Sequence, residues 1–147
     1  MFVRAGSIWL AIMVAAILNG AVRDFLLVPR LGDPLARAVS CVTLACAIFA
    51  ITWASISWIT PASPTDAWRI GLMWLAMTLV FEFGAGHYLF RTPWQALFAD
   101  YNLFAGRLWI LVLAATLTAP AIAYRAAENP PRAMKISSTN SSDAAPL

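Results

Sequence analysis

Charge is what this chain has least of. Asp, Glu, Lys and Arg make up 12% of its 147 residues, against about 25% in a typical soluble domain. So little charge cannot cover a water-facing surface, which excludes an ordinary soluble fold. There is a single histidine, His87. With no H-E-x-x-H and no cysteine cluster, it makes no zinc site with Glu82 and Asp100. The two cysteines, Cys41 and Cys46, form no C-x-x-C and read as small core hydrophobes rather than a redox pair. Gly84 and Gly86 are not followed by the Lys-Ser/Thr that completes a phosphate loop. The basic residues are scattered singly, without the stripe that nucleic acid needs. No metal, cofactor or nucleic acid is expected.

What is present is apolar sequence. Hydrophobic residues make up 61% of the chain, and mean hydropathy is +0.74. A hydrocarbon core of about 30 Å takes roughly 20 helical residues, and four segments fit: residues 7–28, 38–59, 68–86 and 103–124. Arg4 followed by an apolar run has the outline of a cleaved signal. Apolar residues resume at Phe25–Val28, however, and Asn19-Gly20-Ala21 is a poor cleavage site, so the run reads as a first span. Pro29 to Pro34 reads as a loop, with Asp33 as N-cap of the second span and Pro34 in its first turn. Trp53 and Trp58 fall toward the far end of that span, where indoles favour the headgroup boundary. Ser63-Pro64-Thr65-Asp66 reads as a capping box opening the third. A second box at Thr92 opens a short amphipathic helix over 92–99, suited to the interface. Residues 125–147, rich in Ser, Pro and Ala, read as a disordered polar tail.

The expected fold is therefore all-α: an up-down-up-down bundle of four transmembrane helices over residues 1–124, with one short interfacial helix. Such connectivity brings the first and third loops to one side, gathering Asn19, Arg23, Glu82, His87, Asp100, Asn102 and Arg107 into a polar cluster at one membrane face. Gly71, Leu75, Thr78, Glu82 and Gly86 share one stripe of the third span, which should turn inward. Helical side chains tilt toward their own N-terminus. Arg23 and Glu82, near the ends of their spans, are thus driven into the bundle, and pairing with each other would offset their burial. The others have structural accounts. Asn19 is helix–helix glue, His87 an interfacial histidine past a helix end, Asp100 or Asn102 an N-cap, and Arg107 a snorkelling cation.

The motifs Glu82-Phe83-Gly84-x-Gly86-His87, Trp94, Asp100-Tyr101-Asn102-Leu103, Gly106-Arg107-Leu108-Trp109 and, upstream, Asn19-Gly20-x-x-Arg23 resemble a family of small bacterial integral membrane proteins of uncharacterised function. The likeness runs to about Pro120. It implies a bacterial inner-membrane setting and no activity. Three functions then compete. An accessory or structural protein would use the polar face to bind a partner membrane protein, a second copy of itself or the bilayer. A small oligomeric transporter or channel would line its path with Arg23 and Glu82. An interfacial enzyme would use Glu82, His87 and Asp100 as acid–base groups. The accessory reading is favoured and transport is its alternative, because the ionisable residues stop partway through the spans and each candidate base has a structural role. Both termini are expected in the cytoplasm, once Arg23 and Arg107 are discounted from the positive-inside count.

Overall fold

The computed structural model describes residues 1–84, 88 and 108–128. Among them the chain is helical, without a strand, and four helices are long and apolar enough to cross a membrane. Helix α1 (Phe2–Val22) passes through a π-helical turn (Arg23–Leu27) into the short α2 (Val28–Leu31). Then come α3 (Asp33–Ile59), α4 (Pro64–Gly84) and α5 (Trp109–Glu128).

Several expected boundaries shift. The Pro29–Pro34 loop shrinks to one residue, Gly32, because the helix runs on through Pro29 by way of the π turn that precedes it. Gly32 makes the break with φ of 77°, a conformation open to glycine at little cost. It is also the N-cap of α3, so Asp33 is not the cap. Asp33 lies one residue inside the helix and accepts from Arg37 Nε at 2.8 Å instead. At α4 the expected cap forms: the Asp66 N–H donates to Ser63 Oγ at 3.2 Å. Helix α5 continues past residue 125 to Glu128, whose carboxylate accepts from the Tyr124 hydroxyl one turn back. The expected helix over 92–99 and residues 129–147 lie outside the described residues.

Packing uses small side chains, as helices in lipid must when hydrophobicity does not distinguish inside from outside. Ala5, Ala36, Ala67, Ala115 and Ala119 are all buried. Helix α5 packs against both α3 and α4, while α1 lies chiefly on α3. Among the described glycines, Gly71 makes a close helix approach, since a Cβ there would collide with the Leu117 carbonyl of α5. Three of the buried hydroxyls are satisfied within their own helices. Thr52, Ser55 and Thr116 each donate to the carbonyl one turn earlier, at 2.6–2.8 Å. Among the described residues, no buried side-chain nitrogen or oxygen lacks a partner.

Candidate functional site

Two polar regions stand out from this apolar frame, one inside the bundle and one at the α1–α3 corner. The inner one is organised by indoles. A buried Trp has a large apolar body and one N–H that needs an acceptor. Trp74, fully buried on α4, donates to the Ala5 carbonyl of α1 at 2.9 Å. Trp9 on α1 donates to Thr78 Oγ1 of α4 at 3.0 Å. Trp109, in the first turn of α5, donates to Glu82 Oε2 at 2.8 Å. Of the α4 stripe expected to turn inward, Gly71, Thr78 and Glu82 meet α5, α1 and α5 in turn, and Leu75 is partly buried. Gly86 lies outside the described residues. The tryptophans that make these links are what sequence reasoning missed. The available signal was Trp74 in the middle of an apolar run, where its N–H must find an acceptor inside the bundle.

Around Glu82 the helices leave a cavity of about 180 Å³. Its floor is formed by Leu44 and Ile48 of α3 and Val112 and Thr116 of α5, all buried. Its walls include Trp9, Met13 and Ile17 of α1 and Phe81 of α4.

The corner runs from Asn19 to Arg37. Asn19 Nδ2 donates to Ser40 on α3, to its hydroxyl at 2.6 Å and its carbonyl at 3.0 Å, so Asn19 is the helix–helix link expected of it. In the π turn that follows, the Val28 N–H reaches back five residues to the Arg23 carbonyl. The turn sits just before Pro29, whose ring and missing N–H disturb the α-helical ladder. Arg23 forms a two-pronged ion pair with its neighbour Asp24, at 2.8 and 3.2 Å. Arg37 and Asp33 make a second pair within the start of α3, just after the break.

This overturns the expected Arg23–Glu82 pair. The two bonds between α1 and α4, Trp74 to Ala5 and Trp9 to Thr78, both span 69 residues, so the helices advance in step. The same step sets Glu82 opposite Met13, and both line the cavity. Arg23 lies about ten residues further along α1, about 15 Å away at 1.5 Å per residue. Measuring each depth from the expected start of its span hid this offset. Glu82 is turned into the bundle as expected, but Arg23 is half-exposed and belongs to the corner. His87, Asp100, Asn102 and Arg107 lie outside the described residues. Cys41 is partly covered and Cys46 exposed, and neither is in a disulfide. Among the described residues, no cluster of His, Cys, Asp and Glu has the makings of a metal site.

The arrangement defines a class: a helical chain with four membrane-length apolar helices, cross-linked by indole hydrogen bonds around a half-buried carboxylate. Compared with protein-family models, curated proteins and solved structures, the chain matches none of them.

Proposed function

We propose that this is a multi-pass accessory protein of a bacterial inner membrane, which binds a partner membrane protein through its polar face. The observation that carries this reading is the length of the first helix. From Phe2 to Leu31 it has 30 residues, about 45 Å of helix, against a hydrocarbon core of about 30 Å. The overhang holds the π turn, the Arg23–Asp24 pair and Arg30, and the Asp33–Arg37 pair adjoins it. Charged groups on a rigid helical corner just outside the bilayer offer a partner directional contacts. π turns inside helices are frequent at functional sites.

The helices run up-down-up-down, with both termini in the cytoplasm and the corner on the opposite side. Support comes from the contact pairs: Arg4 with Trp58 and Asn19 with Ser40 between α1 and α3, and Gly71 with Leu117 and Glu82 with Trp109 between α4 and α5. In each couple one position rises along the chain as the other falls.

A photo-crosslinking residue in place of Phe25, which is exposed beside the ion pair, tests the reading in native membranes. One discrete protein adduct is expected from that position, none from a matching probe at Leu10, and loss of the adduct in Arg30→Glu. Lipid adducts alone at both positions would overturn the proposal.

A further inference from the structure

We infer that the cavity beside Glu82 is a binding site for a lipid acyl chain that enters sideways between α1 and α4. The argument begins with what the cavity offers a guest. Its volume, about 180 Å³, exceeds the roughly 150 Å³ at which an apolar protein cavity stays dry and takes up benzene. The polar groups of its lining are already engaged. Thr78 accepts from the Trp9 indole, Glu82 accepts from the Trp109 indole, and the Thr116 hydroxyl donates to the Val112 carbonyl. What remains facing the space is chiefly aliphatic and aromatic carbon. Water, which needs two to four polar partners to stay in such a place, is poorly served there, and a hydrocarbon is well served.

The source of that hydrocarbon follows from where the cavity opens. Its floor residues on α3 and α5 are buried: Leu44, Ile48, Val112 and Thr116 are each exposed by 3% or less. Two wall residues are exposed, Ile17 on α1 at 58% and Phe81 on α4 at 36%. The mouth therefore lies between α1 and α4, helices whose contact is carried largely by Trp9 and Trp74. Met13, Ala16 and Ile17 fall near the middle of the 30-residue first helix. In a membrane that level is bathed by acyl chains, the apolar guest in greatest supply. This site is independent of the charged corner and of any partner bound there.

The test uses the full-length protein in nanodiscs of phosphatidylethanolamine carrying a diazirine midway along one acyl tail. After irradiation, adducts are mapped by mass spectrometry. Labelling is expected on the floor residues Leu44 and Val112, which a lipid reaches only by entering. Ala16→Phe, which fills the space, should reduce floor labelling several-fold and leave outward-facing Leu72 and Ile122 labelled as before. Should Ala16→Phe not fold, Ile17→Trp, which narrows the mouth from an exposed position, is expected to give the same selective loss. Labels confined to outward-facing residues would overturn the inference. So would floor labelling unchanged by either variant, or chain-to-chain crosslinks through Ile17 and Phe81 that place a second copy in the mouth.

Discussion

A carboxylate in an apolar bundle is held by whatever donates to it. At Glu82 one donor is the Trp109 indole at 2.8 Å. Hydrogen bonds to charged groups contribute about 1.5–3 kcal/mol, and leaving a buried acceptor short of a donor costs about as much. Trp109→Phe keeps the ring and removes the N–H, so it should lower stability in detergent by about 1–3 kcal/mol. In a double-mutant cycle with Glu82→Gln, the two losses should sum to more than the double variant shows. Trp74→Phe should cost less, near 1 kcal/mol, because the Ala5 carbonyl it leaves lies inside α1 and keeps its helical partner. The Arg23 cycle should behave oppositely. With Arg23 on Asp24 and about 15 Å from the level of Glu82, Arg23→Gln and Glu82→Gln should add within about 0.3–0.5 kcal/mol. A coupling clearly larger than that would restore the pair that the sequence suggested. The difference between expectation and structure here is one of register. Tilt along a helix is read from sequence, whereas the offset between two helices is set by which indole finds which acceptor.

At the scale of elements, glycine separates contact from tolerance. In helix interiors Gly→Ala gains about 1 kcal/mol of propensity. At Gly71 the new methyl meets the Leu117 carbonyl, which is backbone and cannot swing aside as a side chain would. Helices α4 and α5 must then move apart, and overpacking typically costs about 1–3 kcal/mol. Gly71→Ala should therefore melt earlier than the parent protein, while Gly20→Ala, with nothing within 4 Å of its added carbon, should melt at the same temperature or later. Equal melting of both variants would mean that the α4–α5 contact is looser than described. The helices themselves could be read from hydropathy and length, since an apolar run of some 20 residues has few alternatives. The capping bond at Ser63 could be read as well. Two things could not. The π turn depends on how the chain accommodates Pro29, and the collapse of the expected loop to Gly32 depends on a single φ angle. Neither leaves a hydrophobic period to detect.

For the whole molecule the open quantity is orientation, and charge nearly balances. The side expected to carry the termini has Arg4, Arg69, Arg125, Arg132 and Lys135, and the other has Arg23, Arg30, Arg37, Arg91 and Arg107. Positive charges near the ends of the spans set topology, and we propose that a cation tied into an ion pair or into packing counts for less. Arg4 donates to the Trp58 carbonyl at 3.0 Å and lies 5.7 Å from the centre of that indole, so part of its influence goes to packing. On the other side Arg23 is tied to Asp24, and Arg37 to Asp33, each pair carrying no net charge. Arg69 is paired with Asp66 in the same way. Neutralised pairs therefore remove two cations from the corner and one from the terminal side. On that proposal the balance favours termini in the cytoplasm, through the ion pairs rather than through the raw count. A cytoplasm-dependent fluorescent reporter fused after Leu147 should be bright. Asp24→Asn together with Asp33→Asn, which release Arg23 and Arg37, should shift a measurable fraction of the chains to the inverted orientation, seen as reduced reporter signal and new accessibility of the reporter from outside. If the parent fusion is dark while stably expressed, the orientation is the reverse. If the double variant leaves a bright parent unchanged, the ion pairs do not set it.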